Sequence, residues 1–231
     1  MNHKKIYLFG NEKGGVGKTT LAFNLAVARV KAGHSVVLVD TDESGSSSMY
    51  ATLRAEAGYQ PPLLSVAKRG KMIGTDLAQL NQHYELIIDS GGQDSVEMRQ
   101  AIAVADVWVI PVRPGQLDLF SISKMAKLQS DVQQRVDRSP DTRLLLNAVN
   151  SATREGPEAR ELLSDIPDMP LEPYQIVDRV AVRRAVMMGC GILELTGKDA
   201  SKDANAELLK LYESVFGEPY VEARDDKTAA S

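Results

Sequence analysis

Five short runs along the chain are almost wholly apolar: KIYLF (5–9), SVVLVD (35–40), YELIID (84–89), DVWVIPV (106–112) and RLLLNAV (143–149). Runs of this length, rich in Val, Ile and Leu and without strict alternation, predict strands buried on both faces. Between them the apolar positions return at helical spacing, as Leu21, Leu25, Ala28 and Ala32 do, and helices are predicted at 17–33, 72–82, 95–104, 117–135 and 155–165. Further on, 178–189 reads as a helix with Asp178 as N-cap. Ala204, Leu208, Leu211 and Val215 then stripe a last helix at 203–216. Strands alternating with helices imply an α/β fold, a mostly parallel sheet with helices on both faces. The length suits one domain over 1–217, and the polar residues 218–231 read as a disordered C-terminal tail.

The net charge of −4 argues against a broadly basic nucleic-acid binder and leaves room only for a local patch. No apolar run approaches the ~20 residues that span a bilayer. The short apolar stretch after HKK ends at Phe9, where a glycine-rich loop begins, so a cleaved signal peptide would remove that loop. A cytoplasmic protein without a membrane partner is expected. Cys190 is the only cysteine, which leaves no internal disulfide and no cysteine metal cluster; it reads as a buried thiol.

The glycine-rich loop is GNEKGGVGKTT (10–20), set between the first strand and the first helix. It ends as a nucleotide-phosphate loop does, in Gly17, Lys18 and Thr19, while Glu12 stands where the first Gly of G-x-x-x-x-G-K-[ST] would be. Such a loop aims backbone N–H groups at an anion, its lysine reaches the β/γ-phosphates and its hydroxyl serves Mg²⁺. A second lysine, Lys13, stands inside the glycine run, where the turn itself needs no extra charge. Two other strand ends carry carboxylates, Asp40 and Asp42 in VDTDESGSS and Asp89 in IIDSGG. A carboxylate there can hold Mg²⁺ or its water, and a second can orient an attacking water. Arg179, Arg183 and Arg184 form the densest arginine cluster, the first two placed four apart to share a helix face. Lys68, Arg69 and Lys71 make a smaller basic group in a predicted loop.

Taken together, KGGVGKTT, VVLVDTDESGS, YELIIDSGG and VWVIPVRPGQLDL resemble the ParA-type partition ATPases of the deviant Walker A group, which also holds MinD-like proteins. The likeness covers residues 5–150 well and the rest loosely. It implies a P-loop NTPase fold, ATP and Mg²⁺ as cofactors, and a homodimer that sandwiches two ATP molecules, with Lys13 reaching the partner's phosphates. By the same resemblance Gly14, Gly15, Val16, Gly17 and Lys18 bind phosphate, Thr19 binds Mg²⁺ and Thr20 meets the α-phosphate. Asp42 orients the hydrolytic water, Asp40 and Asp89 support Mg²⁺ and its water shell, and Asn147 contacts adenine. Glu43 and Ser44 depart from the usual Pro-Gln, and Glu12 from the more frequent Gln or Pro.

The functional expectation is a positioning ATPase, small-subgroup and nucleoid-associated, whose ATP dimer binds DNA without sequence preference. A ParB-like or centromere-binding adaptor would stimulate hydrolysis and release, and the cargo would be a plasmid, a chromosome region or a protein assembly. An acidic protein needs a local patch for DNA, and Arg179, Arg183 and Arg184 are assigned to it, with Lys68, Arg69 and Lys71 next. Two other readings compete. A MinD-like membrane regulator would need a basic amphipathic C-terminal helix, where this sequence has EPYVEARDDKTAAS. An iron protein of the same loop group would need cluster cysteines, and a ligase a recognisable substrate pocket.

Overall fold

The computed structural model describes residues 4–117 and 119–223. Among these, seven strands form one sheet: β1 (Ile6–Phe9), β2 (Val36–Asp40), β3 (Leu64–Ala67), β4 (Glu85–Asp89), β5 (Val107–Val112), β6 (Asp141–Val149) and β7 (Leu171–Val177). The order is β3-β2-β4-β1-β5-β6-β7 and every pair is parallel. Alternate residues of β1 face opposite cores. Tyr7 and Phe9 pack with α1 (Lys18–Lys31), α7 (Val180–Met187) and α8 (Lys202–Phe216). Ile6 and Leu8 pack with α3 (Ile73–Asn81), α4 (Val96–Val104), α5 (Leu119–Gln133) and α6 (Glu155–Leu163). Both faces are therefore covered, which is why the central strands read as unbroken apolar runs.

Three elements lie outside the sequence reading: β3, β7 and α2 (Ser46–Glu56). The two strands are the sheet edges, and neither is apolar throughout: β3 is short and partly exposed, and β7 carries Glu172, Pro173 and Gln175. Helix α2 opens on Ser46, Ser47 and Ser48, residues that favour caps over helix interiors, and tertiary contacts override that local preference. The predicted helix 178–189 shortens to α7, because Arg179 keeps an extended backbone (φ −121°, ψ 141°) as the strand hands over to the helix. Only the first six residues of the expected tail lie within the described part of the chain. Residues 218–223 pack back on the domain: Glu218 pairs with Arg29, Tyr220 meets the Tyr212 ring at 5.3 Å, and the Ala223 N–H donates to the Lys31 carbonyl at 2.9 Å. Arg29 is buried, donating to both Glu85 oxygens and to the Tyr212 hydroxyl, and Glu218 adds a second carboxylate to it. Residues 224–231 lie outside the described part of the chain.

One buried ion pair fixes α2 relative to the rest. Arg54, only 1% exposed, donates to both Glu194 carboxylate oxygens (2.7 and 3.0 Å) and to the Pro61 carbonyl. Its guanidinium is shut off from water, so Glu194→Ala should lower the unfolding free energy by about 3–5 kcal/mol. Urea unfolding followed by circular dichroism checks this; an unchanged midpoint would show that the pair does not hold α2.

Candidate functional site

The site lies at the carboxyl ends of the central strands, beside the point where the chain leaves β1 for neighbours on either side. Phe9 of β1 stands level with Asp89 of β4, and Asp89 level with Asp40 of β2. Three loops thus leave the sheet at one height: the glycine loop, the 41–45 turn and the 90–95 segment. Pro111 is accommodated because the β1 ladder ends at Phe9 opposite Val109; beyond it the Asn11 side-chain amide donates to the Pro111 carbonyl at 2.8 Å.

The glycine loop is held open by its own chemistry. Gly15 and Gly17 adopt φ of +73° and +95°, a left-handed geometry that residues with a Cβ rarely take. Gly17 is the N-cap of α1 with no side-chain cap, and the first turn of α1 contains no acid. Its leading N–H groups are therefore available to an anion. Lys18 is buried and its Nζ donates to the Lys13 carbonyl at 2.9 Å, closing the loop. Burial holds the Lys18 pKa below its ordinary value, opposed by the charges of Asp89 and Asp42. Lys13 turns back onto its own chain, its Nζ donating to the Gln116 carbonyl at 2.7 Å.

Asp89 is fully buried, and neither carboxylate oxygen has a partner in hydrogen-bond geometry; the buried Ser47 Oγ is also unpartnered. Burial pushes the Asp89 pKa up to about 7, with the Asp40 charge adding to the rise and the adjoining Thr19 and Ser47 hydroxyls and Lys18 opposing it. A carboxylate so placed demands a cation. Asp89, Thr19 and the open helix N-terminus fit a Mg²⁺–nucleotide, since Mg²⁺ takes one or two carboxylates with substrate phosphates and water. Among the described residues no group of three or more His, Cys, Asp or Glu could hold a metal without such help.

The companion carboxylates differ. Asp40 commits Oδ1 to the Asp42 N–H (3.1 Å) and Oδ2 to the Ser48 N–H (2.9 Å), so it anchors the turn that carries Asp42. Asp42 is half-buried and its Oδ1 accepts the Ser44 N–H at 2.9 Å. Gly91 lies against the Asp42 turn and Gly92 fits tightly against the glycine loop; a Cβ on Gly92 would stand 3.3 Å from the Glu12 carbonyl and the Gly14 N–H.

A cleft of about 360 Å³ opens beside the loop, lined by Gly15, Gly17, Thr20, Asn147, Ile176, Val177, Asp178 and others. Asn147 lines this cleft, and its Nδ2 donates to the Val16 carbonyl at 2.7 Å, bracing the loop. Sequence reasoning missed Arg113, Asp178 and the β7 end as cleft residues, because nothing in their spacing marks them. Arg179 and Arg183 also line this cleft, and the expected basic patch is changed. Arg179 precedes α7, so it does not share a helix face with Arg183, and it pairs with Glu207 (2.8 Å) and Asp203 (3.4 Å). Arg183 pairs with Asp178 and Arg184 with Asp199, although both remain well exposed, at 58% and 47% of the side chain. In the second basic group, Lys68 pairs with Asp76 and Arg69 donates to the Asp42 carbonyl. Cys190 is buried beneath Ala185, a structural thiol.

Residues 7–189 match the CobQ/CobB/MinD/ParA nucleotide binding domain. The chain is 31% identical over 219 residues to the maintenance of carboxysome distribution protein A of Gloeobacter kilaueensis, covering 93% of this chain and 95% of that protein. It is 28% identical over 163 residues to the chromosome-partitioning ATPase Soj of Thermus thermophilus, covering 58% and 64%. Among solved structures, an ATP complex of a McdA variant from Cyanothece superposes with a TM-score of 0.71 at 14% identity, covering 96% of this chain and all of that one. A plasmid partition protein from Borrelia burgdorferi bound to AMPPNP gives 0.67 at 16% identity, covering 93% and 97%. Fold, loop and the length of the match agree: the chain belongs to the CobQ/CobB/MinD/ParA family of nucleotide-binding ATPases.

Proposed function

We propose that this protein is an ATP-driven positioning ATPase, which dimerises on ATP, uses the nucleoid as its track and hydrolyses ATP when a cargo-marking adaptor binds. The observation that carries the reading is Lys13: a second lysine in the phosphate loop, beside its own site yet bonded to Gln116 on the exposed flank. The neighbouring Leu119 and Phe120 are exposed apolar side chains on that flank. Rotation of the Lys13 side chain away from Gln116 carries its charge to a second protomer's phosphates. The cleft at Asn147 takes the adenine, Lys18 and the loop N–H groups hold the phosphates, and Thr19 and Asp89 hold Mg²⁺ when bound. Asp42 orients the water, and Asp40 acts by anchoring its turn. The similarity of nearly the whole chain to a carboxysome distribution protein favours a large protein assembly as the class of cargo, with plasmid or chromosome DNA the other outcome.

A positioning cycle needs a long-lived ATP state, so unassisted turnover should be on the order of 10⁻⁴–10⁻² s⁻¹. Lys13→Ala should keep ATP binding through Lys18 yet remain at the monomer mass of 25.2 kDa when light scattering is measured with ATP and Mg²⁺. Asp42→Ala should accumulate as a dimer with uncleaved ATP. A Lys13→Ala protein that dimerises like wild type sinks the cross-dimer role.

For DNA, the ion pairs of Arg179 leave two outward arginines per protomer, Arg183 and Arg184. DNA phosphates would replace Asp178 and Asp199 as their partners. Four such contacts in a dimer give a log–log salt slope of roughly −3.6. Replacing both with Ala should weaken retention of unrelated DNA fragments about equally and flatten that slope, and Arg184→Ala alone, which does not line the cleft at Asn147, should do part of this with ATP-dependent dimerisation intact. Unchanged retention would remove α7 from the DNA surface.

A further inference from the structure

The loop between β3 and α3 belongs to no phosphate-binding motif, yet it is fastened to both segments that flank the Asp42 side of the site. On one side, Arg69 Nη2 donates to the Asp42 carbonyl at 2.6 Å, an oxygen that also accepts the Gly45 N–H at 3.1 Å and so closes the turn. On the other, the Gly70 N–H donates to Glu97 Oε1 at 2.7 Å, and Gln100 binds both the Lys71 carbonyl and the Gly74 N–H at 2.7 Å. Glu97 and Gln100 belong to α4, which begins a few residues after Asp89, Gly91 and Gly92. A cleft of about 300 Å³ lies between these parts, lined by Asp42, Glu43, Arg69, Gly91, Gln93 and Glu97 among others. Arg69 is exposed, so the bond is not a by-product of burial.

Resting on the ATPase reading above, we infer that Arg69 is a positioning residue for hydrolysis: its bond to the Asp42 carbonyl holds the 42–45 turn in the shape that keeps the Asp42 carboxylate in place. A charge-assisted bond is the stronger kind, and it joins the turn to a loop already locked on α4. Without it the turn keeps the Asp40 bond to the Asp42 N–H, its own Gly45 N–H and the Ser44 N–H on the Asp42 carboxylate, all from within residues 40–45, and loses its one tie to the loop fastened on α4, so the turn and its carboxylate can shift together. Misplacement of a water-orienting group by about 1 Å can cost on the order of 10²-fold in rate. The loop also gives a bound partner a handle on Asp42, since pressure on residues 68–72 reaches the turn through one guanidinium.

The test uses the full chain with Arg69→Ala and Arg69→Lys. Arg69→Ala should lower kcat about 10- to 100-fold and leave KM within about twofold, because Arg69 does not line the cleft beside the glycine loop. Arg69→Lys, which keeps one charged donor, should recover part of the loss. In the Asp42→Ala background, Arg69→Ala should cost nothing more, since the two act through one carboxylate. A readout independent of turnover is amide hydrogen exchange without nucleotide, where Ser44 and Gly45 should exchange at least several-fold faster in Arg69→Ala. Wild-type kcat and exchange in Arg69→Ala would overturn the proposal. So would a loss additive with Asp42→Ala, or weaker DNA retention at unchanged kcat, which would make Arg69 a nucleic-acid contact. If wild type hydrolyses no ATP, the ATPase reading fails with it, whereas the exchange measurement still decides the tether.

Discussion

The charge of Asp89 organises this molecule. A carboxylate at the end of a central strand, fully buried and without a hydrogen-bond partner, is costly until a cation arrives. The surrounding parts are arranged around that demand. Thr19 brings a hydroxyl from α1, Ser47 another from α2, and Lys18 supplies a positive charge from within the glycine loop. None of them neutralises it completely, because the lysine is bound to the loop's own carbonyl. The site thus carries an unmet electrostatic requirement, and under the proposed function Mg²⁺ with a nucleotide would relieve it. Such a site couples ligand binding to the geometry of every loop that touches it.

Those loops are held at graded strength. The phosphate loop is braced by Asn147 and Asn11 from below and by its own glycine geometry. The Asp42 turn depends on two bonds from Asp40, one from Arg69 and the helix α2 behind it, which is locked in turn by Arg54 and Glu194. On the exposed flank the Lys13 Nζ donates to the Gln116 carbonyl at 2.7 Å. A rigid floor with looser rims suits the cycle proposed above, in which the site admits a nucleotide, forms a dimer across it and hydrolyses when a partner binds.

The core and the phosphate chemistry were legible in the sequence for the same physical reason. Central strands covered on both faces must be apolar throughout, and a phosphate loop must place glycines and a lysine at fixed spacing. Both requirements leave runs that can be read one residue at a time. The edge strands β3 and β7, half exposed and partly polar, impose no such pattern, and α2 opens on three serines, which mark no helix interior, while a backbone N–H of its first turn serves Asp40. The arginines show the opposite limit. Arg179, Arg183 and Arg184 read as a basic patch along the chain, but each faces an acid that is distant in sequence or on the neighbouring turn. Residue spacing cannot reveal such pairing. Arg69 read as one member of a surface cluster, and only the fold brings it to the Asp42 carbonyl.

The central claim is that Asp89 is kept protonation-prone by burial until Mg²⁺ and nucleotide bind, and stability against pH tests it most directly. The pKa rises from its ordinary value of 3.8 to about 7 in the folded chain, so between these values the native state binds more protons than the unfolded state. Its contribution to the unfolding free energy therefore falls as pH rises through that window and levels off above about 7. The isosteric Asp89→Asn removes this dependence. Unfolding free energies of both proteins should be measured from pH 4.5 to about 8, without ligand and with Mg²⁺ and AMPPNP. The account predicts that Asp89→Asn gains stability relative to wild type as pH rises, and that the ligand stabilises wild type but barely affects the variant at the upper end. Parallel pH profiles, with equal stabilisation of both proteins by Mg²⁺ and AMPPNP, would contradict it.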